Sequence, residues 1–243
     1  MNVFIVHAHP EPQSFNGALT HHARQTLEGA GHKVQVSDLY AMKFDPVSDR
    51  RNFTSVKDSA YFKQQLEELH ATEVNGFASD IAAEMAKLAW CDALILQFPL
   101  WWFSLPAILK GWVDRVFAMG RIYGAGKWYD QGVFKGKRAM ASLTTGGPES
   151  MYSATGLNGD IDAILYPINH GILRFTGFDV LPPFLAWSVA RASADQRQVY
   201  LEQYEQRLLA LWETPPIRYP TLSQCDETFR LKGPAQAGGK GKM

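Results

Sequence analysis

Two periods of apolar and polar residues divide the chain into elements. Short apolar runs of strand length occur at residues 3–7, 93–98, 138–143 and 178–181, and Lys33 to Ser37 alternates. Between them lie segments of helical spacing, at about 16–30, 80–90, 106–119, 160–175 and 194–212. The first of these stops at Gly31. The 80–90 segment sets Ile81, Ala82, Met85, Leu88 and Ala89 on one face. The 160–175 segment is apolar beyond a single stripe, which predicts one long helix buried in a subunit interface. Residues 39–76 are polar and weakly periodic, and predict a long excursion with one helix. Five strands alternating with helices predict a doubly wound α/β domain over 1–215, with helices on both faces of a parallel sheet. Residues 216–243 then form an irregular tail, ending in a disordered Gly/Lys stretch from Ala235 to Met243.

Sequence features concentrate at the carboxyl ends of the first, third and fourth strands, where open α/β sheets bind ligands. The first strand runs into His9-Pro10 and a turn-rich loop before a helix at Ser14-Phe15-Asn16, whose amides can take a phosphate or serve as an ordinary cap. The third runs into Pro99, which cannot donate to a ladder, then Trp101-Trp102-Phe103, with Ser104 a cap for a helix from Pro106. These aromatics suit a flat ligand, or equally a plug at the core edge. The fourth ends in Thr144-Thr145-Gly146-Gly147, where glycines allow close backbone approach. Aromatics after strands three and four, with a phosphate-type first loop, favour the flavodoxin-like strand order 2-1-3-4-5. Together the loops 9–16, 99–103 and 144–152 would clamp a flavin.

Other chemistries find less support. There is no GxGxxG after the first strand, no GxxxxGK[ST] and no GxSxG. His7 and His9 share a strand face but have no acidic or cysteine partner nearby in sequence. Cys91 reads as a small core residue, and Cys91 and Cys225 make no disulfide framework. Lys+Arg and Asp+Glu balance at 24 each, so nothing draws the chain to nucleic acid or an anionic membrane. With no spanning segment and no leader-like start, a cytoplasmic protein is expected.

Phe98-Pro99-Leu100-x-Trp102-Phe103-x-x-Pro106-Ala107-Ile108-Leu109-Lys110-Gly111-Trp112, then Thr144-Thr145-Gly146-Gly147-x-x-x-Met151-Tyr152 and Gly159-Asp160, resembles the FAD-dependent NAD(P)H:quinone oxidoreductases of DT-diaphorase type. The likeness extends to Ser14-Phe15-Asn16 and Asp38-Leu39-Tyr40-Ala41-Met42. It implies a homodimer with shared active sites and one FAD per subunit. A reduced nicotinamide, NAD(P)H or a smaller dihydronicotinamide, would pass hydride to the flavin and leave, and a quinone would then take it up. By the same resemblance, His9, Ser14, Phe15 and Asn16 surround the diphosphate, and Pro99, Leu100, Trp102 and Phe103 wall the ring. Thr144, Thr145, Gly146, Gly147 and Tyr152 bond its polar edge, while Val189 and Arg197 lie near the adenine. Trp101 occupies a variable position and reads as packing. Met151 and Asn158 with Trp102 and Phe103, plus Tyr123 and Phe175 from the other subunit, form the substrate pocket. Tyr152, Asn158 and Gly146 are the catalytic candidates, Tyr152 as hydrogen-bond donor or proton source.

Three positions depart from one branch or another of that family. Asn158 stands where one branch has a histidine, and an asparagine cannot relay a proton near neutral pH. Ala125 replaces a second tyrosine beside Tyr123. Arg174 replaces the second histidine of a metal site whose first is His170, with no matching cysteine, so no metal is expected. An azo- or nitro-compound reductase on the same scaffold, a flavodoxin-type electron carrier and a scaffold protein without cofactor are the alternatives.

Overall fold

A computed structural model describes residues 1–232, so the 235–243 stretch lies outside the described residues. Parallel strands β1 (Asn2–His7), β2 (Lys33–Asp38), β3 (Ala93–Pro99), β4 (Arg138–Thr144) and β5 (Asp179–Val180) follow the order β2-β1-β3-β4-β5. This is the expected order. A sixth short strand, β6 (Phe184–Ala186), also pairs with β4. Pro182 and Pro183 explain the break between β5 and β6: neither has an N–H for the ladder, so pairing lapses and resumes beyond them. The apolar run 178–181 predicts a single edge strand and carries no sign of β6.

Helices are α1 (Phe15–Gly29), α2 (Gln64–Val74), α3 (Ser79–Trp90), α4 (Ala107–Val116), α5 (Ile161–Ile168) and α6 (Ala194–Leu209). The strand period sorts the core into two layers. Val3, Ile5, Ala93 and Ile95 face α1 and α6, packing with Leu19, Ala23, Leu27, Tyr204 and Leu208. Phe4, Val6, Leu94 and Leu96 face α3, α4 and α5, with Ile81, Leu88, Leu109, Trp112 and Leu165. Cys91 is fully buried in the second layer, and burial pushes its thiol up to about 11, which suits a core residue.

The long 160–175 helix is not continuous. Pro167 lies inside α5, and Asn169–Arg174 forms a π-helical segment after it. A proline removes a donor and crowds the preceding turn, so the ladder changes pitch there. The 39–76 excursion holds one α-helix, α2, as expected, and a single 3-10 turn at Arg50–Asn52. The buried Arg115 of α4 pins it, donating to Asn52 Oδ1 (2.8 Å), the Asp45 carbonyl (2.7 Å) and Asp80 (3.1 Å). Among the described residues no helix is long and apolar enough to cross a membrane.

Candidate active site

The parallel register brings three loops to one edge, around a cleft of about 480 Å³. The first loop contributes His9, Ser14, Phe15 and Asn16; the second contributes Pro99, Leu100 and Trp101; the third contributes Thr144, Thr145 and Gly146. Val189, Ala190 and Arg197 close one end. Most of the sequence-predicted cofactor residues therefore meet in one place.

Local chemistry explains the first loop. Ser14 caps α1, its Oγ accepting from the Gly17 amide at 3.1 Å. Ala18 N–H goes to the Ser14 carbonyl. Among the described residues the amides of Phe15 and Asn16 have no acceptor in the chain. Two free donors at the positive end of a fifteen-residue helix make an anion cradle. Asn16 is buried and points inward, its Nδ2 donating to Thr144 Oγ1 at 2.8 Å. Its amide thus faces the cleft while its side chain ties the first loop to the third.

The third loop has the form expected where backbone meets a ring. A β-carbon at Gly146 would meet nothing within 4 Å, so that face of the backbone is open to the cleft. At Gly147 a β-carbon would come within 3.1 Å of Met151 Sδ and 3.2 Å of Tyr152 Cε2, so only glycine packs there without displacing those side chains. The amides of Gly146 and Gly147 make no bond within the described chain, whereas Thr145 donates its N–H to Ala186 (3.0 Å) and its hydroxyl to Gly147 (2.7 Å). The loop is therefore rigid, with spare donors. Tyr152 is buried beside Gly147, its ring 5.4 Å from that of Trp187, and its hydroxyl has no partner among the described residues. Trp187 escaped the sequence reading; it follows β6, the strand that was missed.

The second loop differs from expectation. Ser104 does not cap α4; the cap position is Pro106. Ser104 instead donates its N–H to Trp101 (3.0 Å) and pairs with it across a tight turn. The two central residues, Trp102 and Phe103, have φ of 51° and 58°. Bulky residues rarely adopt this left-handed region, at a cost of about 1–3 kcal/mol each, and such strain gathers at ligand clamps. The turn presents Trp102 95% exposed. Trp101 does more than pack: it lines the cleft, 6.0 Å ring to ring from His9. Neither Trp102 nor Phe103 lines the cleft within this chain.

Tyr123 and Phe175 lie together elsewhere, with ring centroids 5.8 Å apart. They line a second, largely aromatic pocket of about 690 Å³, and no residue lines both it and the cleft. Ala125, His170 and Tyr166 also line it, with Leu222, Cys225, Phe229 and Leu231 of the tail. The tail is thus part of a pocket wall, which the sequence reading did not foresee. Asp130 ties it down by accepting the Leu222 N–H at 2.8 Å. Burial raises the Tyr123 phenol and lowers the His170 imidazole, with Arg174 adding to the second shift. Met151 and Asn158 stay with the third loop, the Asn158 N–H donating to the Met151 carbonyl at 2.9 Å. No cluster of three His, Cys, Asp or Glu side chains is placed to hold a metal among the described residues.

A family model described as flavodoxin-like fold matches residues 1–208. A ribosyldihydronicotinamide dehydrogenase-like protein of Penicillium crustosum is 45% identical over 227 residues, covering 90% of this chain and 84% of its own. NAD(P)H dehydrogenase (quinone) 1 of Cavia porcellus is 43% identical over 227 residues, covering 93% and 82%. A solved Klebsiella pneumoniae protein, titled as a proposed quinone reductase, superposes with a TM-score of 0.94 at 41% identity, over 100% of this chain and 98% of its own.

Proposed function

The chain belongs to the flavodoxin-like family that includes these quinone dehydrogenases, and on that premise we propose that it reduces quinones with a reduced nicotinamide through bound FAD. The carrying observation is the convergence of unpaired amides from two loops, at Phe15, Asn16 and Gly146, on one cleft with an open glycine face. That donor set fits a flavin: an anion cradle at one part and hydrogen bonds for a flat polar edge at another. When bound, the flavin supplies a two-electron carrier for hydride.

The chain supplies the rest. Phe15 and Asn16 hold the diphosphate at the α1 N-terminus, and Arg197 and Val189 bound the adenine end. Pro99, Leu100 and Trp101 form a wall beside Thr144 to Gly146, the Leu100 N–H donating to the Thr144 carbonyl at 2.9 Å. A bound flavin would gain negative charge at its polar edge on reduction, and one donor aimed there would be worth about 3 kcal/mol. Tyr152, with an uncommitted hydroxyl next to Gly147, is that donor. Asn158 orients substrate by hydrogen bonding and moves no proton.

The working unit is a homodimer. Trp102 and Phe103, side by side on one turn, expose 95% and 49% of their surface. Such a patch marks an interaction site. A second copy presenting its Tyr123 and Phe175 pocket over the cleft would complete a flat aromatic chamber of the right chemistry for a quinone. To test the reading, the purified protein is denatured to release and identify its cofactor. Turnover is then measured with NADPH, NADH and dihydronicotinamide riboside against a benzoquinone. Released FAD and quinone-dependent donor oxidation are expected; a protein that takes up no flavin would overturn it.

A further inference from the structure

A line of buried amides and hydroxyls runs from the cleft floor into the core between the sheet and α6. Tyr204, fully buried on α6, donates its hydroxyl to Gln97 Oε1 at 3.4 Å. Gln97, fully buried in β3, donates Nε2 to Asn16 Oδ1 at 2.9 Å. Asn16 donates Nδ2 to Thr144 Oγ1 at 2.8 Å. Thr144 lines the cleft; Gln97 and Tyr204 do not. The chain therefore has a direction. Each member accepts from the one behind it, and at its end the Thr144 hydroxyl has already accepted and keeps its proton. Among the described residues that proton has no acceptor, so the cleft is where it can donate.

An amide chain of this kind also has a reversed arrangement, in which Thr144 donates inward to Asn16 and offers the cleft no proton. Tyr204 biases the choice. Its phenol lies in an apolar layer with Phe184 stacked on it at 4.4 Å. Burial pushes it far up, so it remains a neutral O–H. The Ser142 hydroxyl lies buried beside it and is bonded to no other described residue. Of the two, the Gln97 amide oxygen, at 3.4 Å, is the stronger acceptor and the one to which the phenol donates. Turning one amide alone would set two oxygens or two N–H groups against each other at one link, and turning both would exchange the Gln97 amide oxygen for the weaker Ser142 hydroxyl as the phenol's acceptor.

We propose that Gln97 and Tyr204 are positioning residues that hold the Thr144 hydroxyl as a hydrogen-bond donor to the bound flavin. This rests on the flavin reading above. An oriented donor favours the more electron-rich reduced cofactor, so the chain would raise affinity and midpoint potential together.

The test is the FAD dissociation constant and midpoint potential of the full-length protein and its variants. Tyr204→Phe and Gln97→Met should each weaken FAD binding about fivefold, the scale of one neutral hydrogen bond. Each should lower the potential by about 20 mV, because tenfold in a two-electron couple is about 30 mV. Thr144→Val should show the same loss and Thr144→Ser should retain wild-type values. In the Thr144→Val background, Tyr204→Phe should have no further effect on either readout, which a merely structural role would not predict. The proposal is overturned if Tyr204→Phe and Gln97→Met lower only thermal stability, or if their effects add in full to that of Thr144→Val. A wild-type protein that binds no flavin would instead remove the functional reading beneath it.

Discussion

Gly17→Ala isolates the contribution of the first loop. Gly17 sits in the first turn of α1, and its amide is the one that Ser14 caps. An added β-carbon would lie 2.2 Å from the Pro12 carbonyl oxygen, a backbone atom that cannot rotate away. The 9–14 loop must therefore retreat until that separation passes 3.0 Å. Overpacking of this kind costs about 1–3 kcal/mol, and a strained Ser14 cap about 1 kcal/mol more. Alanine's helix preference offsets about 0.5–1 kcal/mol. The net destabilisation of about 1–3 kcal/mol corresponds to a fall in Tm of roughly 2–12 °C for a domain of this size. The loop runs directly into Phe15, whose free amide opens α1, so its movement should also weaken FAD at least tenfold, read by fluorescence titration beside a melting curve. If FAD affinity is unchanged, or Tm rises because helix preference wins, the close-approach argument fails.

Tyr152→Phe keeps the ring against Trp187 and removes the uncommitted hydroxyl; flavin reduction should slow about 100-fold with FAD retained, and unchanged stopped-flow rates would take its role away. Truncation after Tyr219 removes Leu222, Cys225, Phe229 and Leu231 from the aromatic pocket while leaving the cleft intact. Acceptor KM should rise about tenfold, as expected for lost apolar contacts, at unchanged FAD affinity; equal KM values would mean the tail is no wall of the working pocket. Burial holds the His7 imidazole below its usual value, outweighing the nearby Asp38, and its Nδ1 lies 2.8 Å from Thr20 Oγ1. A depressed pKa contributes stability that is present above the unfolded value near 6.5 and lost as pH falls through the folded one. Wild-type Tm should therefore drop more steeply than that of His7→Gln as pH falls below about 6.5; parallel curves would contradict this.

The strand order was legible because buried strands leave short apolar runs whose length and spacing survive without contacts. The cleft loops were legible because Pro99, Gly146 and Ser14 each mark a backbone event. The Trp101–Ser104 turn was hidden, because two aromatics in left-handed conformation carry no turn signal and nothing local marks the strain. β6 was hidden by Pro182-Pro183, which reads as the end of a strand rather than a break in one. The bend at Pro167 was masked by continuous hydrophobicity on either side of it. Tail residues from Leu222 to Leu231 contribute to a pocket through long-range contacts, which no periodicity records. The buried chain from Tyr204 to Thr144 spans sequence separations of up to 128 residues and likewise leaves no pattern.

The central claim is that hydride passes through a flavin held in the cleft lined by His9, Ser14 to Asn16, Pro99 to Trp101 and Thr144 to Gly146. Its most direct test is an anaerobic stopped-flow experiment in two halves on the purified protein. A stoichiometric reduced nicotinamide should bleach the bound flavin in one two-electron step without acceptor present, and a quinone added afterwards should restore the oxidised spectrum. Flavin that stays oxidised in the presence of every nicotinamide donor, or that reduces but does not return with any quinone, would contradict the account.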